Sequence, residues 1–531
     1  MREQDQKLAH QATDLGQALA AGVEEPLYDA ALWRQCEQSL EQMRDALAAG
    51  ADPAPVTQML AALPPPENRR AQTLALLLRA NLLQDGAATT QALDCAAADL
   101  ASASPQHSLA QADYLLRAVV FGCWSNRLPV ADPAAHDMAL RRLWRAIMAR
   151  YRAETPVPPP LPRAERERDL VLVITGQFMQ GMHQPSLDIL DFLSTLVLRL
   201  GRRVALINTA DGPVSTHLPF LGGMVGSADA ALQGQDSLSV NRLPVPFLHL
   251  PPGFTSPTQA AATLAHIRAL RPDMVLAFGT MNPVADLCRD LLDVVAIPFG
   301  SYMPLAEPGF LALPRPLTPA DGPALTLGGL TPDKVIPIQY SYAPPPTQQT
   351  RCRADLGVPA DAILTLIIGL RLAQEVTPAF AEALDQAIQQ EPRLFFLFVG
   401  PLADDDWAVR FPSLAARSRL HGYDEDVMSI LPLADLYLNP PRLGGGSSAA
   451  FALSCAVPAH GLPTGDVATV IGPDFHLSDY SDFIPLARRW ADDPAWREGQ
   501  RLKAKARFNE ISSRETMLRS ILDGVKAKRR P

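Results

Sequence analysis

Gly444, Gly445, Gly446, Ser447 and Ser448 stand between two apolar runs, "DLYLNPP" and "AAFALSCA". Glycine loses more backbone freedom on ordering than any other residue, so three in a row are explained best where the backbone must approach something closely. The run that follows has helical character. First-turn amides of a helix are unsatisfied donors with partial positive charge, and two serines add hydroxyl donors that can cap the helix. Together these residue types make a cradle for a phosphate or diphosphate. No Asp or Glu occurs from 439 to 458, which suits an anionic ligand. No lysine stands in the Walker position, so this is not a P-loop, and no G-x-G-x-x-G follows the first strand, which disfavours a dinucleotide fold. The plainer account, a Ser-capped helix after a flexible loop, leaves the three glycines unexplained.

Other candidates follow other apolar runs. Gly369, Arg371 and Gln374 come after "AILTLII". The glycine would admit a ligand to the backbone, and Arg371 would grip a phosphate with a forked contact; alone, they also describe an ordinary turn with a surface arginine. His421, Gly422 and Tyr423 would offer backbone groups and a ring to a nucleobase, or close a loop over a packed tyrosine. Asn439 ends the run before the glycines. Asp466, in "PTGDV", would accept a sugar or ribose hydroxyl, or cap a turn. Earlier, "ITGQFMQGMHQPSLDIL" brings Gly176, Gln177, Gly181 and His183 to the end of the first strand, with Asp188 one helical turn on. His183 is the best base or phosphate ligand there. Asp211 and Glu307, after later strands, are further carboxylate candidates. His217, His249 and His266 show no metal-ligand spacing, and no metal is expected.

These residues need a frame. Residues 1 to about 155 carry helical periodicity: Leu32, Cys36, Leu40, Met43 and Leu47 share one face of a helix that stops at Gly50. After the proline-rich stretch 155–163 the pattern changes. "DLVLVIT", "RVALINT", "DMVLAFG" and "VVAIPFG" read as buried strands, alternating with amphipathic helices. A second proline-rich stretch, 341–350, reads as a hinge. Beyond it "AILTLIIGL", "RLFFLFVG" and "DLYLNP" read as strands, with helices predicted at "PAFAEALDQAIQQ", "DEDVMSILPLA" and the closing segments. This gives an all-α domain over 1–162 and two doubly wound parallel α/β domains over 163–345 and 346–531. In such sheets ligands bind beyond the carboxyl ends of the strands.

Composition agrees. The chain has 531 residues, 47% hydrophobic and 19% charged, so several globular domains are expected. A net charge of -9 argues against nucleic acid as the partner. Six cysteines with no C-x-x-C pair read as free thiols. The N-terminus is polar and lacks a signal-peptide core, and no long apolar run predicts a membrane span. A cytoplasmic protein is expected.

Residues 165–531 resemble the GT-B glycosyltransferases. "VPADAILTLIIGLRLAQEVTPAFAEALDQAIQQEPRLFFLFVG" is similar to the segment that opens their donor-binding domain, and "HGYDEDVMSILPLADLYLNPPRLGGGSSAAFALSCAVPAHGLPTGDV" to their donor-site segment. The preceding helical domain resembles that of bacterial adhesin-type protein glycosyltransferases. The resemblance implies a GT-B fold, a nucleotide-sugar co-substrate (a UDP-sugar foremost) and no cofactor. It implies a protein or glycan acceptor, and a helical domain that binds the acceptor, a second copy or a partner subunit. It places the donor at Gly369, Arg371, Gln374, His421, Gly422, Tyr423, Asn439, residues 444–448 and Asp466, with His183 or Asp188 on the acceptor side. Many retaining members carry a Glu where Phe451 stands, a Lys near Val376 and a Gly at Ala456. These departures leave an inverting mechanism open. They also motivate one alternative, a catalytically inactive partner of an active enzyme. A further alternative is a GT-B nucleotide-sugar epimerase, which would need a carboxylate constellation.

Overall fold

The structure is a computed structural model and describes residues 2–20, 30–62, 69–124, 128–181, 183–211, 229–403 and 407–529. Seven helices come first among these: Arg2–Ala20, Ala30–Ala48, Ala54–Ala62, Arg69–Leu82, Gly86–Leu100, Leu109–Trp124 and Pro133–Glu154. Local chemistry sets their ends. Asp85 and Asp132 accept first-turn amides at two helix starts, the second with proline just inside. Gly50 adopts φ +91° two residues past the second helix. Cys36, Leu40 and Met43 of the predicted face are buried.

The first sheet holds β1 (Glu167–Thr175), β2 (Arg203–Asn208), β3 (Ser237–Val240), β4 (Leu243–His249), β5 (Pro272–Phe278), β6 (Val294–Ile297), β7 (Phe310–Leu313) and β8 (Val335–Pro337). Their order is β3-β4-β2-β1-β5-β6-β7-β8, parallel except for the β3-β4 hairpin. The second sheet holds β9 (Ile363–Ile368), β10 (Leu394–Val399), β11 (Ser418–Gly422), β12 (Leu436–Leu438) and β13 (Ala459–His460) in the order β11-β10-β9-β12-β13, all parallel. The chain reverses direction of travel across the sheet at β1 and again at β9, so each sheet has a crevice beside its first strand.

One element differs from expectation, and one strand has no counterpart in the sequence reading. "DEDVMSILPLA" forms two 3-10 turns, Val427–Ser429 and Leu431–Leu433, because Pro432 cannot donate to a continuing helix. β4 is a strand despite Pro244 and Pro246; its pairing with β2 begins only at Phe247, past both prolines.

The helical unit is not tethered loosely. Leu143, Ile147 and Met148 share one apolar cluster with Leu172, Ile174, Val275 and Ala277 of the first sheet. Polar bonds fix the contact: Trp144 Nε1 donates to Asp286 at 2.9 Å, Tyr151 to the Thr255 carbonyl at 2.6 Å, and Arg117 to the Met281 carbonyl at 2.7 Å. The opposite face of the first sheet shares a cluster with the second sheet and with Met517, Leu518 and Ile521 of the last helix, Arg514–Lys528. That helix crosses back to the first α/β unit, where Arg514 pairs with Asp188 and Asp191. The proline-rich hinge is pinned at its start: Tyr342 is buried, and its amide donates to the Ile511 carbonyl at 2.8 Å. Among the described residues no helix is long and apolar enough to cross a membrane.

Candidate functional site

Parallel pairing puts the carboxyl ends of β9 to β13 along one edge, and the loops there meet the first α/β unit. The glycine-rich loop leaves β12 and opens the helix Gly446–Ser454. Gly445 is the residue before its first turn, at φ +95°. The amides of Gly446, Ser447 and Ser448 have no protein acceptor among the described residues, as first-turn donors do when a ligand or water takes the place. The serines do not cap the helix. Ser448 Oγ instead donates to the Gly445 carbonyl at 3.2 Å and accepts from Tyr437 at 3.1 Å.

The three glycines have three different reasons. A Cβ on Gly445 would lie 2.4 Å from Asn439 Oδ1 and 2.6 Å from Arg442 Nε, so the close approach at this position is internal. On Gly446 it would press on the Tyr342 hydroxyl at 3.0 Å. On Gly444 it would meet only Arg371 Nη2, at 3.7 Å, which makes Gly444 the position open to a ligand.

Sequence proximity had suggested a loop without carboxylates. Folding brings one in. Glu375, buried at the end of the short helix Leu372–Glu375, pairs with Arg371 at 2.9 Å and with Arg442 at 2.8 Å. Arg442 lies beneath the loop and also donates to Asn439 Oδ1 at 2.7 Å, the Ile368 carbonyl at 2.8 Å and Tyr437 at 3.0 Å. Asn439 is therefore a buried brace for Arg442, and Arg371 is the guanidinium left facing Gly444. Gln374 is exposed beside it. Gly369 is held close by Arg442, whose Nη1 would lie 2.5 Å from a Cβ there.

His421 is engaged at the edge strand β11: it bonds Asp424 at 2.8 Å, and Arg351 approaches the same carboxylate and the ring. Gly422, at φ +81°, turns the chain outward and leaves Tyr423 56% exposed. Asp466 spans the gap between the units. Its Oδ1 accepts the Ser301 amide at 2.7 Å and the Ser301 hydroxyl at 3.1 Å, and burial raises its carboxyl above the usual range. Of the eight exposed large apolar side chains among the described residues, Tyr302, Leu370, Tyr423 and Leu443 sit on these strand-end loops, and a fifth, Trp124, stacks on Arg371.

On the first sheet, His183 and Asp188 have separate partners. His183 is the residue before the helix Gln184–Leu198, and its Nδ1 lies 2.7 Å from Ser186 Oγ, which already accepts the Met179 amide at 2.8 Å. With the serine proton turned to Nδ1, the neutral ring carries its own proton on Nε2 and acts as a donor. Burial lowers its pKa to about 4, so it is neutral at pH 7. Asp188 is closed off: Arg514, Tyr340 at 3.3 Å and Gln184 at 3.2 Å surround it, and burial raises its carboxyl. It braces the last helix and is poorly placed as a base. Asp211 is buried under Arg117 of the helical unit, 3.8 Å away, with its pKa pushed up to about 6 by burial. Gly176 makes room for it, since a Cβ there would lie 2.5 Å from Asp211 Oδ1. Glu307 sits three residues before β7, at that strand's amino end, and pairs with Arg152 at 2.6 Å. His217 lies outside the described residues. Among the described residues no three His, Cys, Asp or Glu side chains gather as metal ligands would.

Glu375, Arg442 and Trp124 were missed as members of this site. Glu375 and Arg442 stood in the quoted segments without a pattern to mark them, and nothing local ties Trp124 to a loop nearly 250 residues away.

No protein-family model matches this chain, and no curated protein matches it. Solved structures do. A mutant O-GlcNAc transferase of Thermobaculum terrenum matches with a TM-score of 0.56 at 13% identity, over 99% of this chain and 97% of that one. A glycosyltransferase of Rickettsia africae matches with a TM-score of 0.48 at 11% identity, over 69% of this chain and 100% of that one. At this identity the likeness shows the fold alone: GT-B, two facing α/β units preceded by an all-α unit.

Proposed function

We propose that this protein is a metal-independent glycosyltransferase that takes a nucleotide-activated sugar, a UDP-sugar foremost, and transfers the sugar to a protein or glycan acceptor. The observation that carries the reading is the set of unpaired amides of Gly446, Ser447 and Ser448, beside Arg371 at the carboxyl edge of the second sheet. In this reading the diphosphate lies on those amides and Arg371 offsets the charge that develops as it departs. That is electrostatic stabilisation by groups already in place, where it is worth more than in water. Tyr423 and the end of β11 receive the base. His183 Nε2–H serves as a donor from the facing unit.

The test is a thermal-shift screen with UDP, GDP, CMP, ADP and TDP sugars, followed by assay of nucleoside diphosphate release. A ligand at a hundred times its dissociation constant stabilises the folded state by about 2.7 kcal/mol. One diphosphate should shift the melting point and be released on turnover. No shift with any of them overturns the proposal.

One observation favours a second reading, a catalytically inactive partner of an active enzyme. Glu375 neutralises part of the charge that Arg371 and Arg442 would bring to the diphosphate. Nucleotide binding without sugar release in the presence of acceptor would select it.

A further inference from the structure

Trp124 ends the helix Leu109–Trp124 of the helical unit, yet it lies against a loop of the second sheet. The Arg371 guanidinium carbon stands 3.6 Å from the centre of its ring. Phe121, one turn earlier, packs on the same ring with centroids 5.2 Å apart. Arg371 Nη2 is bound to Glu375 at 2.9 Å and lies 3.7 Å from where a Gly444 Cβ would stand. Two contacts thus hold one guanidinium beside the open Gly444 position: an aromatic face and a carboxylate at one edge. Stacking uses the flat face of a guanidinium and leaves its in-plane N–H groups for an anion.

We infer that Trp124 is a positioning residue for the donor pocket, holding Arg371 in the orientation that meets the diphosphate. The helical unit therefore sets donor affinity directly, in addition to any acceptor or partner it binds. The inference rests on the donor reading above, with the nucleoside diphosphate as the ligand class.

The experiment is a double-mutant cycle. UDP is titrated calorimetrically into the wild-type chain and into Trp124→Phe, Trp124→Leu, Arg371→Ala and the double variant Trp124→Leu/Arg371→Ala. Leucine stays apolar but is smaller and loses the ring face, so Trp124→Leu should weaken UDP about threefold to tenfold, the range a stacked cation supplies. Trp124→Phe should stay close to wild type. The double variant should bind no more weakly than Arg371→Ala alone, because the effect passes through Arg371. Wild-type affinity in Trp124→Leu, or additive losses in the double variant, would overturn the inference. The same cycle in urea unfolding separates the two readings. If wild type binds no nucleoside diphosphate, the donor reading fails, whereas additive unfolding free energies refute the Trp124–Arg371 coupling itself.

Discussion

Glu375 shows how the site's charge is decided by single side chains. It brings a buried carboxylate between Arg371 and Arg442, so the pocket carries one net positive charge from these three groups. Replacing it with glutamine would release Arg371 for a ligand while leaving Arg442 short of a partner. Removing one partner of a buried pair costs about 3–5 kcal/mol. Glu375→Gln should therefore lower the melting temperature and tighten nucleoside diphosphate binding, and calorimetry beside thermal unfolding checks both directions at once. Asp286 gives a pH prediction. Burial, then the neighbouring Glu307 charge, push its carboxyl up to about 7, while Trp144 Nε1 and the Glu307 amide donate to it. In the unfolded chain it titrates near 3.9. Its protonated form favours the folded state, so this contribution is full below about pH 4 and is lost as pH rises through about 7, at about 1.4 kcal/mol per unit of pKa difference. Asp286→Asn keeps an acceptor for both donors and should flatten stability over that range. Urea unfolding from pH 4 to 8 measures it; an unchanged slope contradicts it.

At the scale of elements, the last helix is the one whose sequence position misleads. It follows the second α/β unit and packs on the first, with Gly524 so close to β8 that a Cβ would lie 2.7 Å from Ile336. Arg514 anchors it through Asp188, Asp191 and the Ser341 carbonyl. Arg514→Met would leave Asp188 buried without its cation, and about 3–5 kcal/mol of stability should be lost. Hydrogen exchange should then rise in the helix Gln184–Leu198, in the first unit, as well as in the last helix. Exchange confined to the last helix would contradict the anchoring. The sequence made most elements legible wherever burial on both faces gives an unbroken apolar run, as in β1, β5, β9 and β10. It fails where prolines sit in the run: Pro244 and Pro246 mask β4, and Pro432 breaks into 3-10 turns a stretch whose apolar spacing alone reads as a helix. The glycine loop was legible as a helix start with amides to spare. The role of each glycine was not, because Gly445 answers to Arg442 and Gly446 to Tyr342, contacts that exist only after folding.

The whole molecule is one interlocked body of three units. The helical unit shares an apolar cluster with the first sheet, the last helix ties the second unit to the first, and Asp466 bonds Ser301 across the gap. The candidate site lies at the strand ends of the second unit, where Trp124 of the helical unit stacks on Arg371 and Asp466 reaches Ser301 of the first unit. The central claim is that the glycine loop holds a nucleoside diphosphate, and it is tested most directly at Gly444. A Gly445 substitution would collide with Asn439 and Arg442 and confuse binding with misfolding. Gly444 has room for a side chain, with only Arg371 near. Calorimetric titration of UDP into the wild-type chain and into Gly444→Asp decides the matter. The account predicts saturable binding to wild type and none to Gly444→Asp at an unchanged melting temperature, because the new carboxylate occupies Arg371 and repels the diphosphate. Equal affinity in the two proteins would contradict it.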